Sequence, residues 1–337
     1  HDVRLVVYGH GTGEELSGLP IHRSAPLPFV KRTKAGPSLA KPLLDAMLAR
    51  TLRRVCITHA IDAVSAHNYE GLLVALMVQR RPIVYHAHNA MQDELPAYFG
   101  GAEWARHFGS WLDCALPRRA DVCVVPHARL KAYLIECGCR GANIVVIPPS
   151  IDAIGSTRLA RVDAPGVLYT GNLDPYQNLS LLAAAMESVR KTQPDARLTI
   201  VSADPLEGSP FAGADWVDHV AAADREVLRG ALGEDVVVVC PRVSWSGFPM
   251  KLLNAMSAGQ AIVCCAASAH PLTHDLDGMI VDDTNPHSLA AAIIRMRADA
   301  VLRARLGKAA RASFERNHGA KPFASRLNEV YRAAASA

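Results

Sequence analysis

The chain has 337 residues, half of them hydrophobic, and carries 36 Lys and Arg against 32 Asp and Glu, a net charge of +4. That length suits two ordinary domains, each with its own core, and the charge is too mild to point to a nucleic-acid partner. The basic excess sits in the first half: residues 1–150 hold 17 Lys and Arg against 12 Asp and Glu, the remainder 19 against 20.

Strand-like and helix-like runs alternate along the whole sequence, the pattern of parallel sheets with helical crossovers. In the first half, strands are expected at 3–8, 63–66, 83–86, 122–125 and 144–147, with helices near 40–54, 69–79, 104–116 and 128–136. Pro148-Pro149 breaks the rhythm and biases the backbone to extended form, which puts an interdomain linker at 148–163. The second half restarts with a strand at 167–170, a helix at 179–191 and a strand at 197–201. A polar loop follows at 204–215, then a strand near 217–220, a helix at 224–232 and a strand at 236–240. A helix at 250–257, a strand at 261–265 and a mostly helical tail from 286 complete the pattern. The expected domains are 1–150 and 151–315, with a final segment at 316–337. Ligands in such sheets bind beyond the carboxyl ends of the strands.

Eight cysteines, Cys56, Cys114, Cys123, Cys137, Cys139, Cys240, Cys264 and Cys265, lie mostly in apolar runs, where a thiol acts as a small hydrophobe. Cys137-Gly-Cys139 lacks a second Cys/His pair at zinc-like spacing, so no metal is expected. A reduced, cytoplasmic chain fits this usage best. No apolar run approaches the roughly 20 residues of a membrane span, and no signal-peptide pattern is visible.

The segment richest in chemistry runs Ser246-Gly-Phe-Pro-Met-Lys-Leu-Leu-Asn254-Ala-Met-Ser-Ala-Gly259. It reads as a loop, a short helix and a glycine stop. A glycine loop opening a helix aims free N–H groups and the positive end of the helix dipole at one spot, which favours a phosphate. Gly247 permits close backbone approach, Phe248 is expected to pack, and Pro249 suits the first helical turn, beside Met250. Lys251 places a cation where the dipole disfavours one, which makes sense beside a bound anion. A solvated lysine on an ordinary crossover helix is the plainer alternative.

Two other segments stand at expected strand ends. Gly171-Asn172-Leu-Asp-Pro-Tyr-Gln177-Asn178 is either a ligand loop or a simple strand-to-helix turn with an Asn cap. His86-Ala-His88-Asn89-Ala-Met-Gln-Asp93-Glu94 offers imidazoles and carboxylates, and His67-Asn68 ends the preceding strand similarly. Asp93 and Glu94 read equally as ligands for hydroxyl groups or as a capped helix start or solvated loop. No His pair at helical i, i+4 spacing supports a metal here.

The order and wording of 236–265 resemble GT-B glycosyltransferases of the large retaining group, family 4. There the segment usually reads Glu-Gly-Phe-Gly-x-x-x-x-Glu-Ala-Met-Ala-x-Gly before a buried strand. Here Ser246 and Asn254 stand at the two glutamate positions. The resemblance implies two Rossmann-like domains facing each other across a cleft, and a nucleotide sugar, with UDP the implied nucleotide, as co-substrate without a further cofactor. It implies a diphosphate held by Lys251 and neighbouring N–H groups, a ribose met by Asn254 and a donor sugar met by Ser246. Asn172 replaces the family's loop arginine and Gln177 or Asn178 its lysine, so Arg242 and Lys251 become the compensating cations. His88 matches the family histidine near the donor sugar and acceptor, while His86 is expected to be structural. His67, Asn68, Asp93 and Glu94 fall on the acceptor side, toward a glycan or lipid-linked acceptor. Retention of anomeric configuration and a last helix at 322–335 crossing back to the first domain are implied in the same way.

Members of this family carry a strand, a Gly-rich loop and a helix before the point where this sequence starts, so it is expected to be a piece of a longer chain. Phe29, Lys31, Arg32, Lys34, Lys41, Arg50, Arg53 and Arg54 form either a peripheral contact with an anionic membrane surface or a solvated face. The rival functions are a nucleotide-sugar epimerase on the same architecture and a non-catalytic nucleotide- or glycan-binding relative.

Overall fold

The computed structural model describes residues 1–10, 18–28, 30, 36–79, 82–154, 162–221 and 224–336. The chain divides into two compact units, His1–Ile147 with Arg326–Ala337, and Pro148–Ser325.

In the first unit, β1 (Leu5–Val7) pairs in parallel with β2 (Ile21–Arg23). The second of these carries no period in the sequence: it is three residues, Ile-His-Arg. Helix α1 (Lys41–Thr58) follows, then β3 (Val64–His67), α2 (Asn68–Val78), β4 (Ile83–His86), α3 (Met91–Tyr98), α4 (Glu103–Ala115), β5 (Val122–Val125), α5 (Ala128–Glu136) and β6 (Ile144–Val146). Strands β3 to β6 form one parallel sheet in sequence order. All four residues of β4 are buried, as expected of a strand covered on both faces.

Asp93 and Glu94 both occupy the first turn of helix α3, where carboxylates complement the dipole. Its N-cap, Ala90, has no side chain able to cap. The cap comes instead from Asp113 on α4, whose carboxylate accepts from the Met91 and Gln92 N–H groups at 2.9 and 3.0 Å. The same carboxylate accepts from the Tyr133 hydroxyl at 2.8 Å and from the Tyr69 hydroxyl. Burial pushes this carboxyl up and the four donors oppose the shift. Gly109 makes the packing of α3 against α4 feasible, because a Cβ there would lie 2.4 Å from the Met91 carbonyl oxygen.

The second unit contains β7 (Gly166–Thr170), α6 (Leu179–Thr192), β8 (Leu198–Val201), β9 (Val217–Val220), α7 (Arg225–Ala231), β10 (Val236–Cys240), α8 (Met250–Ala258), β11 (Ala261–Cys265), β12 (Met279–Val281), α9 (Pro286–Ala298), α10 (Ala300–Asn317) and α11 (Ala320–Ala335). The division between the units falls within α11. The sheet is parallel with order β12-β11-β10-β7-β8-β9. Alternate residues supply opposite faces: Val167, Tyr169, Val237 and Val239 enter one core, Leu168, Val238, Cys240 and Cys264 the other. The cysteines thus pack as small hydrophobes, and all eight are free thiols.

Two buried arginines fasten the sheet to its helices. Arg303 donates to the Met296 and Arg297 carbonyls near the end of α9 and pairs with Asp235 at 3.1 Å, just before β10. Arg297 donates to the Pro165 carbonyl before β7 and pairs with Asp195 at 2.9 Å.

Replacing Asp113 by Ala removes an acceptor from four donors, of which the Tyr133 hydroxyl keeps Gln92 Oε1 at 2.9 Å. The cost is about 1–3 kcal/mol for each one left buried without a partner. We expect Asp113→Ala to lower the thermal midpoint by well over 5 °C in a melt followed by circular dichroism, roughly the shift set by a loss of this size. An unchanged midpoint would show that α3 is capped another way.

Candidate functional site

In the second sheet the chain runs β7, β8, β9 outward on one side, then returns to place β10 on the other side of β7. That reversal is a switch point, and the loops after β7 and β10 must diverge from adjacent strand ends, leaving a crevice between them. The two loops carry the residues singled out above. Gly171, directly after β7, has φ +119°, and a Cβ on it would lie 3.2 Å from Lys251 Nζ. Glycine therefore satisfies both the backbone and the lysine.

Lys251, in the first turn of α8, reaches across to the other loop. Its Nζ donates to Gln177 Oε1 at 2.9 Å and stands 4.1 Å from the centre of the Tyr169 ring. Gln177 is only 4% exposed and passes the polarity on, donating to Asn172 Oδ1 at 2.5 Å. Asn172 Nδ2 in turn donates to the Tyr176 hydroxyl at 2.9 Å and to the Asp174 carboxylate. Burial, with the nearby Arg242 charge, pulls the Lys251 ammonium down to about 8, opposed by the thiols of Cys240 and Cys264.

Arg242 lies with its guanidinium 5.2 Å from the centre of the Tyr176 ring and donates to Ser244 Oγ at 3.0 Å. Its Nε is buried without a hydrogen-bond partner among the described residues. Gly247 leaves room for this arginine, since a Cβ there would meet Nη2 at 2.5 Å. Two cations thus face the crevice, one of them with an unused donor.

The other sequence-selected positions are placed differently. Asn178 is the left-handed cap of α6 (φ 54°), and its side chain donates to the Asp283 carbonyl at 3.2 Å, away from the lysine. Ser246 is fully buried. Phe248 packs between the His270 and His318 rings, at 6.4 and 5.7 Å. Pro249 is the N-cap of α8 rather than its first helical residue, with ψ 92° outside the helical region. Met250 is exposed. Asn254 is half-buried and borders a cavity of about 260 Å³ lined also by Ile151, Ile154, Asp224 and Leu228. Sequence reasoning missed Tyr169 and Tyr176 as supports of the two cations; their places near the end of β7 and within the Gly171–Asn178 segment were the available signal.

In the first unit, β3 and β4 end side by side with His67 paired to His86 in register. The rings stack at 4.3 Å, and His67 Nδ1 lies 3.2 Å from His88 Nε2. His86 is buried, with Nε2 2.9 Å from the Tyr331 hydroxyl of α11, which also meets Ser65 Oγ at 2.6 Å. Burial, then the neighbouring imidazoles, pushes His86 down to about 3; burial also lowers His67 and His88. His67, His88 and Asn68 remain exposed, Asn68 with φ 60°. Glu94 accepts from the Asn89 amide and from the Tyr98 hydroxyl at 3.1 Å, and burial raises its carboxyl.

Of the basic run, Phe29, Lys31, Arg32 and Lys34 lie outside the described residues. Lys41 is held by Glu70 at 2.5 Å, whereas Arg50, Arg53 and Arg54 are exposed on α1. Among the described residues no group of three or more His, Cys, Asp and Glu could hold a metal ion, and no helix is long and apolar enough to cross a membrane.

Because its folded value is depressed, His86 favours folding fully above the ordinary imidazole value near 6.5 and loses that contribution as pH falls toward about 3. We expect the thermal midpoint to drop between pH 6.5 and 4 more steeply in the wild type than in His86→Phe. Parallel curves would remove His86 as a source of acid sensitivity.

Residues 1–153 match the family described as Glycosyltransferase Family 4, and residues 164–299 that described as Glycosyl transferases group 1. Among curated proteins, the phosphatidyl-myo-inositol mannosyltransferase of Mycobacterium tuberculosis (strain ATCC 25618 / H37Rv) is 28% identical over 210 residues, 58% of this chain and 55% of that protein. The protein of the same name from Propionibacterium freudenreichii subsp. shermanii is 24% identical over 277 residues, 78% and 68% of the two chains. The chain thus spans about half the length of the mycobacterial relative it matches. Among solved structures, sucrose-phosphate synthase from Thermosynechococcus elongatus superposes with a TM-score of 0.79 at 18% identity, covering 95% of this chain and 84% of that one. Anabaena HepE in complex with UDP-glucose gives 0.70 at 16% identity, covering 94% and 86%. Both halves are thus similar to glycosyltransferase families, each on a parallel α/β sheet, and the chain has the two-domain α/β fold seen in GT-B glycosyltransferases.

Proposed function

We propose that this protein transfers a sugar from a UDP-sugar to a hydroxyl group of a lipid-linked or polysaccharide-precursor glycan, with retention of anomeric configuration and without a bound metal. The observation that carries the reading is the placement of Lys251 Nζ on Gln177, in the loop after β7. The segment 171–178 itself holds no Lys or Arg, and the cation that reaches it comes from α8, where it suits a diphosphate. The structural similarity to HepE, which has been solved with UDP and with UDP-glucose, supports the choice of nucleotide. The name of the mannosyltransferases supports a lipid-linked acceptor.

In this reading Lys251, Arg242 and the backbone N–H groups beside Gly171 and Gly247 hold the diphosphate. Asn254, at the 260 Å³ cavity, meets the ribose, and the 246 position borders the sugar. In the first unit His88 hydrogen-bonds a sugar hydroxyl or the transferring oxygen, with His67, Asn68, Asp93 and Glu94 on the acceptor side. The acceptor oxygen attacks the anomeric carbon on the face from which the diphosphate leaves. The bond from carbon to the β-phosphate oxygen breaks, and that phosphate takes the acceptor proton. Stabilising the departing charge with fixed cations is the protein's main catalytic work.

Calorimetric titration with UDP, against GDP and ADP as controls, tests the donor assignment: selective UDP binding supports it, and binding of none by folded protein removes it. Lys251→Ala should weaken UDP by about tenfold or more, the size of one lost charge-assisted contact. The ammonium has its folded value near 8, so wild-type affinity should fall as pH rises from 7 to 9. The alanine variant should lose that dependence. Equal affinity in the two proteins would take Lys251 out of the site.

A further inference from the structure

The chain between β10 and α8, residues 241–249, has no regular structure. It carries Arg242 and Gly247 and delivers Lys251 in the first turn of α8. No side chain at the N-cap fixes where α8 starts, because that position is Pro249 and it makes no capping bond. The placing of both crevice cations therefore depends on what holds this loop.

Two side chains from the segment after β11 hold it. That segment opens with a single 3-10 turn, Ala266–Ser268, whose Ala267 N–H donates to the Asp283 carboxylate at 2.9 Å. The hydroxyl of Ser268, fully buried, donates to the Arg242 carbonyl at 3.0 Å. Three residues further along the loop, His270 Nε2 donates to the Trp245 carbonyl at 2.6 Å. A carbonyl only accepts, so this imidazole carries a proton on Nε2. The His270 ring also lies 6.4 Å from that of Phe248, which His318 flanks at 5.7 Å. His318 is itself anchored, with Nδ1 2.9 Å from the Pro149 carbonyl. Each fixed carbonyl sets the direction of a whole planar peptide unit. A loop ordered in advance need not be ordered when its ligand arrives, and that saving appears as affinity.

We propose that His270 is a positioning residue for donor binding. By holding the Trp245 carbonyl and the Phe248 ring, it keeps the loop in the shape that brings Arg242 and Lys251 to one diphosphate. Ser268 serves the same end at the Arg242 carbonyl. The purpose rests on the donor reading above, whereas the grip on the loop stands on its own geometry. Both residues belong to the second unit, and neither lies in the Ser246–Gly259 segment that the sequence singles out.

Calorimetric titration with UDP on wild type, His270→Phe, His270→Gln and Ser268→Ala tests it. Phenylalanine keeps a ring beside Phe248 and loses the donor; glutamine keeps a donor N–H and loses the ring. We expect His270→Phe to weaken UDP by about fivefold, the size of one lost hydrogen bond, and Ser268→Ala to do the same. His270→Gln should recover most of the affinity. In a Lys251→Ala background, His270→Phe should cost about twofold or less, because a cation that the loop places is gone; a general loss of stability would cost equally in both backgrounds. Hydrogen exchange of the free protein reads the loop without nucleotide. Peptides from 241–252 should exchange faster in His270→Phe and Ser268→Ala than in wild type, and at the wild-type rate in His270→Gln. Should His270→Phe fail to fold, Ser268→Ala carries the same comparison. Unchanged UDP affinity in the Phe and Ala variants, no recovery by glutamine, or equal costs in the two backgrounds would overturn the proposal. Loop exchange that responds as described in a protein that binds no UDP would keep His270 as the holder of the loop and remove only the donor reading.

Discussion

The reversal of strand order between β7 and β10 governs what the second unit can do. A parallel sheet that grows outward on one side of its first strand and then on the other leaves two loop ends diverging from neighbouring strands. Nothing in the side chains is needed to open that crevice. The side chains decide what it suits, and here the decision is cationic. Lys251 and Arg242 rest on Tyr169 and Tyr176 respectively. Aromatic faces stabilise the two charges without neutralising them, which a carboxylate partner would do. Gly171 and Gly247 complete the arrangement by standing where any larger residue would displace a cation.

The first unit solves a different problem. A short helix without a cap of its own must follow β4 so that the chain carrying His88 and Asn89 turns in a fixed direction. Asp113 supplies the missing cap from α4 and simultaneously binds Tyr133 and Tyr69. One buried carboxylate thereby joins α2, α3, α4 and α5. The histidines then stack at the ends of β3 and β4, and Tyr331 ties them to α11. Burial is the first cause that lowers all three, and the neighbouring imidazoles add to it at His67 and His86.

Much of this architecture was visible in the sequence, for reasons that can be named. The Val236–Cys240 and Ala261–Cys265 strands are continuous apolar runs bounded by loop residues, and such runs belong to covered parallel sheets. The loops after β7 and β10 were legible as strand ends with glycines. Helix α3 was not, because its cap lies 22 residues away and Pro96 interrupts its interior. Strands β2 and β12 are three residues each, too short to carry a period. The Lys251–Gln177 bond spans 74 residues and the His86–Tyr331 contact 245. Sequence spacing names the candidates in such pairs and cannot name the pairing. The Asn178 side chain illustrates the converse, since its position in the motif gave no sign that it serves the Asp283 carbonyl.

The bond between Lys251 on α8 and Gln177 in the loop after β7 couples what the two positions can hold. Position 177 and position 251 compete for the same small volume, because the lysine ammonium already sits 2.9 Å from the glutamine oxygen. A second lysine at 177 would force two charges together, and an uncharged residue at 251 would leave Arg242 as the remaining cation of the pair. Neither single step is favourable, so the two positions are epistatic.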